Sequence, residues 1–136
     1  MRAALVLALL CVLAADAGAA RKPTAAERAA VTLAVLTQVP ELPGSPAAVV
    51  VRRVVVSTVR PGRSASFSRF AAAFVVARDA SPYPPGPRTA VIGLHERTKG
   101  WVLVGYGPNR VVCQEPQLFF GGRRAAVLRD LGVRCG

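Results

Sequence analysis

A chain of 136 residues with 52% hydrophobic content is sized for one domain with a real core. Its 18% charged residues fall below the usual share of about 25%, which excludes a solvated disordered tail. Eighteen Lys and Arg against seven Asp and Glu give a net charge of +11, so charge-driven binding would select anions: nucleic acid, anionic lipid or an acidic wall polymer.

Sixteen of the basic residues are Arg, and the Ala, Val, Gly and Pro excess beside them is what a GC-rich coding bias produces. The charges are scattered, with Arg52-Arg53 and Arg123-Arg124 as adjacent pairs and no basic run of five. A functional and a compositional origin of the charge therefore both stay open.

The chain opens with Met1-Arg2, a continuous apolar run from Ala3 to Ala15, and two small-residue cleavage patterns at Ala15-Asp16-Ala17 and Gly18-Ala19-Ala20. This order predicts a signal peptide over 1–20 and a single small α+β domain over 21–136. A retained span would need about 20 apolar residues, so no membrane span is expected after cleavage. Lipidation of Cys11 would require a small residue before it, and Leu10 is not small. Discarding Cys11 leaves Cys113 and Cys135, an even number in an exported chain, which predicts a disulfide. The expected location is secreted or associated with the cell envelope.

In the mature chain Arg21-Lys22-Pro23 reads as an exposed start. Thr24-Ala25-Ala26-Glu27 has the capping-box pattern, in which the Thr hydroxyl accepts from an early backbone N–H and the Glu reaches back to the cap. A helix follows to Gln38, with Ala30, Leu33, Ala34 and Thr37 on one face and Val31 and Val35 widening it, and Pro40 ends it. Pro40 to Pro46 is a loop. Ala47 to Val59 is a Val-rich strand whose alternation breaks at Arg52-Arg53, predicting a bulge there. Arg60 to Ser64 is a turn. Phe67 to Arg78 is a second strand, with Phe70, Ala72, Phe74 and Val76 toward the core and Ala71, Ala73 and Ala77 partly exposed; its alanine content leaves a helix as the alternative. Ser81 to Pro87 holds four prolines and is a rigid loop.

Thr89 to His95 and Trp101 to Tyr106 form a hairpin across Arg97-Thr98-Lys99-Gly100, a turn with Gly at its last position. Strict alternation places Trp101 and Tyr106 on opposite faces. Cys113 to Phe120 is expected to be extended, and Arg123 to Leu131 helical with Gly132 as terminator. A helix followed by a run of strands argues for α+β, with the N-terminal helix packed on a curved antiparallel sheet of about four strands and a short C-terminal helix stapled by the disulfide. Cystatin-like and nuclear-transport-factor-like folds share this outline, an analogy of fold that licenses no function.

Gly100-Trp101-Val102-Leu103-Val104, Gly105, Gly107, Cys113, Glu115-Pro116, Leu128, Leu131-Gly132-Val133 and Cys135 resemble a C-terminal pattern of small exported proteins of high-GC actinobacteria. There a W-x-V/L-V strand leads through a glycine loop to a Cys, a Pro, a helix and a final L-G-h-x-C, where h is apolar. Val55, Ser57, Thr58 and Val59 are also similar. The likeness covers about the last fifty residues best, and Gln117 to Gly122 departs from it as an insertion. It implies export and a disulfide and brings no activity with it.

Chemistry-bearing residues are sparse. His95 is the only histidine; a Cys–His nucleophile pair with Cys113 competes with the disulfide for the same thiol. A metal site needs three or four His, Cys or carboxylate ligands, more than one His and an oxidised Cys pair provide. The carboxylates show no paired spacing for glycosidic acid–base work, no G-x-S-x-G elbow surrounds a serine, and Gly105-Tyr106-Gly107 lacks the remainder of a dinucleotide fingerprint. No catalytic residue, cofactor or metal site is therefore assigned. The residues that could touch a ligand or partner are Trp101 and Tyr106, as aromatics on a hairpin strand, and Arg52 and Arg53, as cations on a strand edge; core packing of the former and solvation of the latter compete with that role. The expected function is a non-enzymatic binding or interaction module, with an extracellular protein or an anionic wall polymer as partner and no specific nucleic acid. A pocket for a small apolar ligand is the alternative, with a hydrolase behind both.

Overall fold

The computed structural model describes residues 20–39, 49–77 and 86–136. Residues 1–19 of the leader, the loop over 40–46, Ala47 and Ala48, Arg78 and most of the proline loop lie outside the described residues. The elements run α1 (Ala25–Gln38), β1 (Val49–Val56), β2 (Phe67–Ala77), β3 (Pro87–His95), β4 (Trp101–Gly107), α2 (Asn109–Val112), a 3-10 turn (Gln117–Phe120) and α3 (Arg124–Asp130). The four strands form one antiparallel sheet in the order β1-β2-β3-β4. This is the expected α+β arrangement, with the Cys113–Cys135 disulfide closing the tail. No helix among the described residues is long and apolar enough to cross a membrane.

Helix α1 begins where the capping box places it. The Thr24 side chain accepts from the Glu27 N–H, and the Glu27 carboxylate accepts from the Thr24 N–H, both at 3.1 Å. Two of the helix's orphan donors are thereby satisfied, a motif whose loss costs about 1 kcal/mol. The buried face is rotated from the expected one: Val31, Ala34 and Val35 face the sheet, whereas Leu33 is 62% exposed. The two valines are the larger apolar groups of that arc, and full burial of each is worth about 1.5–3 kcal/mol. At the helix's C-terminal end the Gln38 amide donates to the Trp101 carbonyl and accepts from the Leu103 N–H, both at 2.9 Å. It thus occupies the outer edge of β4 as a neighbouring peptide would.

Three bulges shape the sheet, at Arg52 in β1, Ser68 in β2 and Val104 in β4. Each inserts one residue, reverses the in–out parity of its strand and increases the local twist. The bulge expected near Arg52-Arg53 is present, so Val51, Val54 and Val56 all lie on the α1 side. The bulge at Val104 overturns the expectation that Trp101 and Tyr106 face opposite ways: both pack, with Leu103, against the α1-side core.

Both faces of the sheet are covered, which the sequence reading did not anticipate. On the α1 side Val54, Val56, Ala71, Ala73, Val75, Ala90 and Ile92 meet the helix. On the other side Val55, Phe70, Ala72 and Val91 meet Val112, Phe120, Val127, Leu128, Leu131 and Val133 of the tail. Ala71 and Ala73, expected to be partly exposed, are fully buried, and Val76, expected in the core, is exposed. The run of alanines fits this position, because small side chains on both faces let a helix layer and a tail layer approach the same strand closely.

The tail departs from the extended course expected for Cys113 to Phe120. Pro108 and Pro116 sit at the N-caps of α2 and the 3-10 turn, where the missing N–H is no loss and the fixed φ starts a helical turn. These turns bury Val112 and Phe120 against the sheet, and the Phe120 ring stacks on Phe70 at 4.7 Å. Helix α3 ends as expected at Gly132, whose φ is +80°. The Gly132 N–H donates to the Arg129 carbonyl and the Val133 N–H to that of Leu128, the pairing of a Schellman motif.

In the hairpin the left-handed turn residue is Lys99, with φ +57°, rather than the following Gly100. Gly93 serves a steric role in β3: a Cβ there would lie 2.5 Å from the Phe67 ring. That ring is held between Phe70 at 5.5 Å and the edge-on His95 ring at 5.9 Å. Gly93→Ala is expected to lower the unfolding free energy by about 1–3 kcal/mol, measured by urea denaturation. Replacing Cys113 and Cys135 by Ser opens a loop of sequence separation 22 and should remove about 3 kcal/mol on the chain-entropy account; an unchanged midpoint would contradict it.

Candidate functional site

The groups singled out in the sequence do not assemble into one site. Arg52 and Arg53 lie on β1 and Trp101 and Tyr106 on β4, the two edges of the sheet, about 14 Å apart at three strand spacings. Trp101 and Tyr106 are partly buried against the α1-side core. The Cys113 sulfur is bonded to Cys135 at 2.06 Å. His95 sits at the far end of the β3–β4 hairpin from Cys113, and its Nδ1 accepts from the Arg97 and Thr98 N–H groups at 3.3 and 3.4 Å. That contact makes His95 a cap for the turn.

The one serine–carboxylate contact among the described residues is also structural. Ser57 Oγ donates to Asp130 Oδ2 at 2.7 Å and accepts from the Val59 N–H at 3.1 Å. The Thr58 N–H donates to the same Asp130 oxygen at 2.8 Å. No imidazole joins this group, and Ser57 is buried, so the carboxylate locks the chain leaving β1 onto α3. Glu115 lies beside Gly105, and burial pushes its carboxyl above the ordinary value. No group of three His, Cys, Asp or Glu among the described residues could hold a metal ion.

Cations do converge along the outer edge of β1. An open groove of about 560 Å³ is lined by Ala20, Arg21, Lys22, Pro23, Arg28, Arg53, Val54 and Val55. The segment before α1, expected to be a plain exposed start, builds one wall of it. Arg21 forms an antiparallel bridge with Val56, exchanging backbone hydrogen bonds of 2.8 and 2.9 Å. Continuing that register would pair Pro23 with Val54, but Pro23 has no N–H to donate and Thr24 already caps the helix. The chain therefore leaves β1 after a single bridge, and the groove opens where it leaves.

Glu27 stands beside this cluster and is already occupied. Its two oxygens accept from Arg21 at 2.9 and 2.7 Å, a bidentate pair, and Arg69 of β2 adds a contact at 3.3 Å. The Arg21 hydrogen bonds, aided by those of Thr24, hold the Glu27 carboxyl down at about 2. Among the described residues Lys22, Arg28, Arg52 and Arg53 have no carboxylate partner; the Arg53 guanidinium lies 5.6 Å from the centre of the Phe74 ring, which orients it without neutralising it. A surface of unneutralised guanidinium and ammonium groups can donate hydrogen bonds to carboxylate, sulfate or phosphate oxygens.

The chain matches no protein-family model, no curated protein and no solved structure, so the geometry alone carries the functional reading. Sequence reasoning found Arg53 but missed Lys22 and Arg28. The signal that could have found them is a basic pair directly before Pro23 and a capping box, which brings Lys22 and the helix's Arg28 to the same end of α1.

Because the folded-state pKa of Glu27 is depressed, its contribution to stability is fully present above its ordinary value near 4.5 and is lost as pH falls toward about 2. The difference in unfolding midpoint between the native chain and Glu27→Gln should therefore shrink across that window; a constant difference would mean that the ion pair does not stabilise the fold.

Proposed function

We propose that the protein is an exported, non-catalytic binding module that takes an anionic extracellular partner in the groove along β1. The observation supporting this reading is the convergence of Arg21, Lys22, Arg28 and Arg53 on one open groove, with the neighbouring carboxylate, Glu27, already held by Arg21 and Arg69. Such an array raises the local concentration of anions and holds them by charge-assisted hydrogen bonds. The partly buried disulfide-closed tail suits an oxidising compartment. The alternative of a small apolar ligand between α1 and the sheet has no comparable support, because Val31, Ala34, Val35, Val54 and Ile92 fill that space.

Net charge alone would produce weak binding to any polyanion, so the test must separate place from charge. Lys22→Glu, Arg28→Glu and Arg53→Glu together are expected to weaken binding of poly-L-glutamate more than tenfold, read by fluorescence anisotropy at fixed salt. The same charge change made at the exposed Arg97, Arg129 and Arg134, outside the groove, should cost much less. Equal losses from the two triple variants would reduce the interaction to net charge and remove the groove as a site.

A further inference from the structure

The disulfide ties the tail together from outside its core. Cys135 is exposed and Cys113 half-buried, and both line an open pocket of about 360 Å³, within the range of about 300–1,000 Å³ that small-molecule sites occupy. Ala125 and Leu128 supply its apolar lining, and Arg110 and Arg124 its cations. Arg110 lies three positions before Cys113 on α2, a spacing at which helical side chains are neighbours. The Arg124 guanidinium is anchored by a 2.8 Å hydrogen bond to the Glu115 carbonyl, a neutral acceptor that leaves its charge in place. Among the described residues no Asp or Glu lines the pocket, and neither arginine pairs with a carboxylate.

We infer that the Cys113–Cys135 bond is a thiol-exchange site for a small thiol that carries carboxylates. This stands apart from the groove along β1 and from the reading drawn from it. The thiolate of the incoming molecule attacks the sulfur of the exposed Cys135. A new S–S bond forms to Cys135, the old one breaks, and its electron pair leaves on the Cys113 sulfur as thiolate. No oxidant is consumed, and the Cys113 thiolate restores the original bond by attacking Cys135 and expelling the thiol. Two cations beside the leaving sulfur stabilise its thiolate, and a more stable thiolate leaves faster. The same cations draw an anionic thiol to the pocket and hold its carboxylates by charge-assisted hydrogen bonds. The tail does not depend on the bond alone. Val112 on one side and Leu131 and Val133 on the other are buried in the core, and Asp130 binds Ser57 and Thr58. The mixed disulfide therefore forms on a folded protein.

The test treats the full native chain with glutathione, neutral 2-mercaptoethanol and cationic cysteamine. Each rate is expressed per thiolate and divided by the rate of the same thiol on a neutral model disulfide. Acid quenching, alkylation and peptide mass then locate the adduct. The expected result is a normalised rate for glutathione roughly tenfold above that for cysteamine, with the adduct on Cys135 and Cys113 alkylated. Arg110→Gln with Arg124→Gln should remove most of that preference. Arg97→Gln with Arg129→Gln, the same charge change outside the pocket, should leave it intact. Because Arg124 also braces the Glu115 carbonyl, Arg110→Gln alone must lower the preference at an unchanged thermal midpoint. Equal normalised rates for the three thiols, an adduct on Cys113, or equal losses in the two double variants would overturn the proposal. So would a native chain that resists all three thiols until it is unfolded, which would make the bond purely structural.

Discussion

The Glu27 carboxylate holds together the end of the molecule on which the functional reading depends. It caps α1 through the Thr24 N–H, binds Arg21 with both oxygens and reaches Arg69 on β2. One side chain thereby fixes the start of a helix, the segment before it and a strand of the sheet. It also sets the electrostatics, since by engaging Arg21 and Arg69 it leaves Lys22, Arg28 and Arg53 without a carboxylate among the described residues. Pro23 completes the geometry: the bridge at Arg21 and Val56 cannot continue, and the chain leaves β1 at the groove lined by those cations.

The remainder of the fold makes that edge rigid. A sheet packed on both faces, by α1 on one side and by the disulfide-closed tail on the other, offers little free surface other than its edges. The two edges are treated differently. On β4 the Gln38 amide occupies the backbone of Trp101 and Leu103. On β1 a single bridge and a bulge are present, and the positions beside them carry arginine. A protein with an unprotected edge risks association with itself; here the bulge at Arg52 and the exposed arginines beside it are features that discourage it.

Local patterns were the legible part of the sequence. The capping box at Thr24 and Glu27, the bulge signalled by Arg52-Arg53, the hairpin, Gly132 as terminator and the Cys113–Cys135 pair each depend on residues whose chemistry acts within a few positions or, for the disulfide, on a count. Long-range consequences were not legible. The bulge at Val104 has no local marker, yet it turns Tyr106 to the same face as Trp101. The alanines of β2 look exposable one by one, and only the presence of two covering layers buries Ala71 and Ala73. Pro116 lies in a stretch that reads as extended, and only the structure shows Pro108 and Pro116 starting α2 and the 3-10 turn. Of the candidate site Arg53 was visible as half of a basic pair, whereas the groove exists because Arg21 meets Val56 across thirty-five positions of sequence, a pairing that no local pattern announces.

The most direct measurement is a map of backbone amide chemical shifts as poly-L-glutamate is titrated into the protein. The account predicts that the perturbations concentrate on Arg21, Lys22, Arg28 and the Arg53–Val55 stretch and leave the tail from Arg123 to Arg134 nearly unmoved. Perturbations spread over every arginine-bearing surface, or centred on the tail, would contradict it.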